Sequence, residues 1–446
     1  MPVDTLANTD AGKASVSVAT SIRKPLESYN VDQISAVRPN SLGISTEFSL
    51  RGRVNDTLPD FSREFWTPIH IHFGGEDPYI TLCRLNFNKY SNAPHETPMF
   101  KDMEAVSLCT SRGKVRKDRL SVLTAQLRED IAAGRTVSIP PTGFVFHEGR
   151  VGSTLVANLL GSSPHSMVYA ESDPPVDILR NCRGCSRQEK IRLLREVVAL
   201  MGSSPVHKYL FFKMQSISTM QMDIVLEAFP QTAWAFVYRE PVQTMMSQVD
   251  PAKGGGGGPC LRSRRDRPKE ITEVLARVGG PEASANSAGW CAGHLNMLCN
   301  SAIASFEYAG MFKGGRQRGM LVNYESLPGA VPRALLPMFG VETVSSDWLS
   351  RMAVESKSYS KSRPTKRKGS SSDHSFSGDS IDKEARSTQD IRKYAKLVLM
   401  PTFEKQARLS QHALQNVMTP SDYKAISSDD DAGSVNWRKL STIPAP

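Results

Sequence analysis

Residues able to hold an anion collect in one stretch of this sequence, 143–171, which reads GFVFHEGRVGSTLVANLLGSSPHSMVYAE. An apolar run, Phe144 to His147, leads into a turn containing Gly149, Arg150, Val151 and Gly152, and a helical pattern starts at Ser153 and Thr154. A strand, a loop and a helix start in that order leave backbone N–H groups unpaired at the positive end of a helix dipole. Such groups hold a phosphate or a sulfate. Arg150 adds a cation and the two hydroxyl side chains add donors, so the first question put to the chain is which anion sits there.

An ATP-type phosphate loop reads G-x-x-x-x-G-K-[ST], with the Lys on the terminal phosphates and the hydroxyl on magnesium. Here no Lys precedes Ser153 and Thr154, and the apolar run TAWAFVY ends in Arg239 instead of a magnesium-binding Asp. A phosphate-loop kinase or nucleotide hydrolase is therefore the second reading. A non-catalytic nucleotide-binding protein of the same fold is the third.

The segment HEGRVGSTL resembles the 5′-phosphosulfate loop of sulfotransferases that use 3′-phosphoadenosine 5′-phosphosulfate (PAPS), and VYREPVQTMMS resembles their 3′-phosphate motif. The resemblance is nearest to the tyrosylprotein and related Golgi-type enzymes and to bacterial sulfotransferase-like proteins, and it covers roughly residues 140–330. It implies a P-loop-type α/β fold and a sulfuryl transfer from PAPS to a hydroxyl or amine acceptor, without a metal. By the same resemblance Glu171 is the general base, and Arg150 and Lys213 stabilise the bridging and sulfonate oxygens. Gly152, Ser153, Thr154 and Arg150 hold the 5′ side of the donor, Arg239 and Ser247 hold its 3′-phosphate, and Tyr324 packs near the adenine. Two departures stand out: Val151 occupies a position where the family has Ser, and the run Lys366, Arg367, Lys368, Gly369 is only a short match to a C-terminal phosphate-binding element. The acceptor, a small molecule or a glycan, has no readable signature.

These residues need a framework. Residues 117–134 place Leu120, Leu123, Leu127 and Ile131 at helical spacing ahead of the loop, with Gly134 as a stop. After the loop, helix and strand alternate: a helix over 187–201, the strand KYLFFK, a helix over SISTMQMDIVLEAF, the strand TAWAFVY, a helix from Pro241, a long helix over 283–308, the strand MLVNY and a last helix over 388–415. Such alternation predicts a mostly parallel sheet flanked by helices, with ligands beyond the carboxyl ends of its strands. The domains expected are a loosely packed leader over 1–60, an accessory region of extended strands over 61–135, the α/β domain over 136–415 and a tail over 416–446. Gly254 to Gly258 and the basic run from Arg262 to Lys269 read as a solvated loop.

At 446 residues with a formal net charge of +10, the chain is large enough for a sizeable core and favours acidic partners. A bulky anionic donor satisfies that preference, and nucleic acid is not expected as a partner. No apolar run reaches the length of a membrane span. Seven cysteines, an odd number in so long a chain, suggest free thiols and a reducing, cytoplasmic setting. Two metal patterns are weaker than their alternatives. Cys182, Cys185, Cys291 and His294 have zinc-like spacing, but the last two sit in a pattern of small and apolar residues that suits a packed helix. His70, His72 and Glu76 have the spacing of an iron or manganese site, without the strands of a barrel around them.

Overall fold

Five runs of the sequence, GFVFH, SMVYA, YLFFK, AWAFVY and GMLVN, are almost continuously apolar, as strands covered on both faces must be. In the computed structural model, which describes residues 65–111, 113–250, 258–310, 318–341, 343–358 and 380–417, all five become strands of one parallel sheet. They are β4 (Gly143–His147), β5 (Ser166–Ala170), β6 (Tyr209–Lys213), β7 (Ala233–Tyr238) and β8 (Gly319–Asn323). Their order across the sheet is β5-β6-β4-β7-β8, so β4 lies in the middle and its two neighbours come from later, separate crossovers. The chain leaves β4 at the point where the strand order reverses, the place beyond the carboxyl ends where open α/β sheets hold their ligands. The expected α/β class with a mostly parallel sheet is what the chain adopts.

Aromatic packing fills the sheet's faces. Phe144 stacks on Phe212, which stacks in turn on Tyr169, with ring centroids 5.7 and 5.2 Å apart. On the other side of β4, Phe146 meets Trp234 edge-on at 6.5 Å. All five rings are essentially without exposed surface. Burial of this extent, at ~25 cal/mol per Å² of apolar area, is the main force holding the strands in register.

The accessory region forms a separate antiparallel sheet of β1 (Phe65–His72), β2 (Tyr79–Leu85) and β3 (Val115–Arg119), in that order. The strand β3 was not expected. Residues 115–119 pair with β2, so helix α1 runs over Leu120–Ala132 and the start of the expected stretch at 117 belongs to the strand. Leu120, Leu123 and Leu127 face inward as expected, and Gly134 takes the left-handed backbone of a stop.

Of the helices that follow, α2 (Ser153–Gly161), α3 (Arg187–Met201), α4 (Met222–Ala228) and α5 (Pro241–Val249) lie where the alternation put them, α6 (Lys269–Ala285) was not expected, α7 (Ser287–Gly310) was, α8 (Ser346–Glu355) and α9 (Ser380–Ala385) have no expected counterpart, and α10 (Gln389–Tyr394) and α11 (Met400–Val417) fill the last expected helix. Two expected helices divide. Residues 216–221 form a 3₁₀ turn ahead of α4, and the long helix over 283–308 is the end of α6 followed by α7, with Asn286 between them in extended backbone. The side chain of Asn286 accepts from Ala288 N and Gly289 N, which starts the second helix.

The cysteines correct the reading made from their number. Six of the seven are paired, as Cys83–Cys109, Cys182–Cys185 and Cys260–Cys291, and only Cys299 is free. Cys182 and Cys185 bind each other and Cys291 binds Cys260, so no zinc site forms from them. Cys291, His294 and Cys299 lie buried on α7, the packed helix their neighbours suggested. Among the described residues no helix is long and apolar enough to cross a membrane. The leader over 1–60, the glycines 254–257, the run 366–369 and residues 418–446 lie outside the described residues.

Candidate functional site

Between the end of β4 and the start of α2 the backbone turns through three left-handed residues, Gly149 (φ 93°), Arg150 (φ 65°) and Gly152 (φ 81°). Successive turns of this kind make a concavity lined by N–H groups, and here it opens onto the first turn of the nine-residue α2. A non-glycine residue held at positive φ costs on the order of 1–3 kcal/mol, a strain characteristic of ligand-holding loops. Arg150 carries that strain while its side chain is exposed and has no hydrogen-bond or ion-pair partner among the described residues. It does not pair with Glu148 or Glu171. Val151, in contrast, is fully buried, and Ser153 and Thr154 are nearly so. An anion in this loop would therefore meet backbone N–H groups rather than the side chain at position 151.

Gly152 is held by its neighbour across the sheet. A Cβ there would lie 2.8 Å from Cδ2 of Tyr324, at a φ that disfavours any side chain. Gly152→Ala is expected to lower stability by about 1–2 kcal/mol from the backbone alone and to push Tyr324 off the loop. Chemical denaturation checks the first effect, and weaker anion binding checks the second.

The carboxylate and the lysine come together. Lys213 ends β6, which pairs with β4 (Val145↔Lys213) and with β5 (Ala170↔Lys213), and Glu171 is the next residue after β5. The backbone N–H of Glu171 donates to the Lys213 carbonyl at 2.7 Å, and Lys213 Nζ donates to Glu171 Oε1. Lys213 is 1% exposed and Glu171 27% exposed, so the carboxylate is partly open to solvent while the ammonium is sealed. Glu171 is also left-handed, at φ 61°. His147 closes the group: its Nε2 lies 3.0 Å from the Met214 carbonyl and 3.7 Å from Glu171 Oε1. Lys213 is thus not a solvated strand-end charge, and the Glu171 side chain is committed to Lys213 instead of capping the turn that follows.

On the other side of β4, Arg239 follows β7 directly. Its guanidinium lies 4.0 Å over the Tyr324 ring, and its Nε donates to Gln243 Oε1 at 2.8 Å. Nη2 donates to Ser380 Oγ of α9, also at 2.8 Å. Pro241 takes the first position of α5, as expected. Ser247, two turns along α5, is half-buried and donates to the Gln243 carbonyl at 2.9 Å. The two arms flank the loop, Glu171 with Lys213 on the β6 side and Arg239 with Tyr324 on the β7–β8 side.

Three contributors escape a reading of the sequence. Glu148 is buried directly beneath the loop. Gln248 lies one residue past Ser247, with Nε2 3.5 Å from the Gly149 carbonyl and a buried Oε1 that has no partner. Ser380 arrives from 141 residues downstream of Arg239. None has a sequence signal, since each depends on which segments the fold brings together.

Beside Glu171 lies a second polar group. Gln215 Nε2 is 3.4 Å from both the Glu171 carbonyl and Asp173 Oδ1. His70 Nδ1 lies 3.7 Å from Asp173 and 3.9 Å from Asp177, and its pKa is raised chiefly by the Asp177 carboxylate. Burial pushes Glu104 nearby up to about 7. His72 is engaged elsewhere, on Thr81 Oγ1 at 2.8 Å. The His70, His72, Glu76 spacing is therefore not a ligand set: its two imidazoles have separate partners.

No family model matches the chain, and no curated protein matches it in sequence. Among solved structures, it resembles the sulfotransferase STF9 from Mycobacterium avium at 11% identity and a TM-score of 0.34, over 52% of this chain and 71% of that one. A sulfotransferase from Alicyclobacillus acidocaldarius gives 13% identity and a TM-score of 0.29, over 48% of this chain and 90% of that one. The sulfotransferase domain from the curacin biosynthetic pathway gives 14% and 0.29, over 65% and 97%. At these scores the likeness is distant, and the chemistry of the site rests on its own residues.

Proposed function

We propose that the protein transfers a sulfuryl group from PAPS to a hydroxyl or amine of an acceptor. The observation that carries the reading is the convergence of three elements beyond the carboxyl ends of β6, β4 and β7: the Lys213–Glu171 pair, the left-handed loop 149–152, and Arg239. A donor with phosphates at both ends of an adenosine needs two anion sites, and the loop and Arg239 are the candidates for them, with Gly152 and Tyr324 between. The donor fits the residues present: N–H groups of the loop and α2 with Arg150 for the 5′ side, Arg239 and Ser247 for the 3′-phosphate, and the Tyr324 ring for the base.

When bound, the donor supplies an activated sulfuryl group on a good leaving phosphate. The protein supplies the proton chemistry and the charge. Glu171, partly open to solvent, accepts the acceptor's hydroxyl or amine proton. Lys213 and Arg150 offset negative charge that develops during transfer, Lys213 from a dry position where its charge acts at low dielectric. Lys213 also holds the Glu171 side chain in place, so the base is aimed before the acceptor arrives.

Thermal unfolding with added nucleotides tests the reading. Adenosine 3′,5′-bisphosphate at a hundred times its Kd is expected to stabilise the fold by about 2.7 kcal/mol, and ATP with magnesium to do so far less. Preferential stabilisation by ATP and magnesium would assign the loop to a kinase or nucleotide hydrolase. Stabilisation by neither would leave the loop without a nucleotide role.

A further inference from the structure

Glu148, the residue between His147 and the loop, turns its carboxylate into the interior, toward the end of β7, α5 and α7. Only 4% of the residue is exposed. Oε1 accepts from the Arg239 backbone N–H at 2.9 Å and from Thr244 Oγ1 at 3.3 Å, and Oε2 accepts from the Cys299 thiol at 2.9 Å. One side chain thereby ties β4 to the end of β7, to α5 and to α7. The ties close into a ring: Glu148 fixes the Arg239 backbone, the Arg239 guanidinium lies on Tyr324, and Tyr324 packs against Gly152 at the far end of the same loop.

We propose that Glu148 is a positioning residue for the donor, holding Arg239 in place against the phosphate loop and taking up a proton when an anion enters. The proposal rests on the donor-site reading above. A buried carboxylate next to an anion site must either repel the ligand or become neutral, and in a low-dielectric surround neutralisation costs less. Burial already pushes the Glu148 carboxyl up to about 7, so the proton is available near neutrality. Protonation leaves the network intact. Oε1 continues to accept from Arg239 N and Thr244, while a proton on Oε2 can be directed at the Cys299 sulfur.

The other charged and titratable groups facing Glu148 do not reproduce this behaviour. Tyr238, on β7, is pushed up to about 12 by burial and stays neutral. The Cys299 thiol, on α7, is raised well above its usual range by burial and remains a donor. Arg239 meets Glu148 through its backbone N–H. Glu240 is the other nearby carboxylate; its pKa is raised by burial, and it caps α5 by accepting from Gln243 N at 2.8 Å.

Anion binding beside Glu148 favours its protonated form, so affinity falls as pH rises through about 7. The measurement is calorimetric binding of adenosine 3′,5′-bisphosphate between pH 6 and 8.5 to the wild type, Glu148→Gln, Cys299→Ala and Glu240→Gln. The ligand's phosphates titrate identically in every case, so ratios between proteins isolate the protein's proton. The wild-type affinity is expected to fall about 5- to 10-fold more than that of Glu148→Gln across this range, since each unit of pKa change on binding is worth a factor of ten. Cys299→Ala, which removes a donor to the ionised carboxylate, is expected to move the midpoint to higher pH, and Glu240→Gln, which removes a like charge that raises the Glu148 carboxyl, to move it to lower pH. Parallel curves for wild type and Glu148→Gln overturn the proposal; so does an unmoved midpoint in Cys299→Ala, which decides the matter if Glu148→Gln does not fold. A wild type that binds no bisphosphate at any pH overturns the donor site itself, a distinct outcome.

Discussion

Replacing Glu171 by Gln is expected to lower kcat for sulfuryl transfer by about 10²–10⁴-fold, the contribution of a positioned general base, while affinity for adenosine 3′,5′-bisphosphate changes by less than about twofold. The separation follows from the geometry. Glu171 lies on the β6 side of the loop, attached to Lys213 and beside His147, whereas Arg239 and Tyr324 pack together on the β7–β8 side. Gln has the same shape and keeps an oxygen for Lys213, so the fold and the donor site persist, but the amide takes no proton from an acceptor. Some loss of stability is expected, because Lys213 is 1% exposed and would face a neutral partner. The readouts are single-turnover transfer and bisphosphate binding on the same preparation. Retention of full activity with intact binding would remove Glu171 as the base and leave His147 as the nearest group able to serve.

The carboxyl-end position of the site was legible because it depends on local order: apolar strand, glycine turn, hydroxyl residues, helix. A loop over 149–152 and a helix from Ser153 follow from those residues wherever they fold. The Lys213–Glu171 contact was legible only in part. Each residue ends an apolar run, and two neighbouring parallel strands bring their carboxyl ends together, but that β5 and β6 are neighbours is a fact of topology. The 3₁₀ turn over 216–221 was not visible, since its residues suit a helix equally well.

What the sequence concealed was non-local. The Glu148–Cys299 contact spans 151 residues and the Arg239–Ser380 contact 141. Nothing in the composition of either segment announces its partner. The disulfides show the same limit: spacing alone made Cys182 and Cys185 look like half of a zinc site, whereas Cys260 and Cys291 pair because α7 packs against the short helix holding Cys260. Arg150 is the converse case. Its residue type is plain in the sequence, but only the backbone reveals that it is held left-handed with its guanidinium exposed beside the loop.

Arg239→Ala is expected to weaken adenosine 3′,5′-bisphosphate binding by about 10- to 150-fold, the equivalent of the 1.5–3 kcal/mol typical of a charge-assisted hydrogen bond. The same variant should bind adenosine 5′-phosphosulfate, which has no 3′-phosphate, with less than about a threefold change. The guanidinium is almost fully buried and organised in advance: the Tyr324 ring beneath it, Gln243 on Nε and Ser380 on Nη2 fix its plane, so little entropy is lost on engaging a phosphate. Arg239→Lys should recover only part of the affinity, because a single ammonium can neither cover the ring nor reach two partners in one plane. The backbone N–H that Glu148 holds is untouched by either substitution, which keeps the loop anchored and makes the two-ligand comparison interpretable. Equal loss for both ligands would show Arg239 acting through the fold, and unchanged binding of both would place the 3′-phosphate elsewhere.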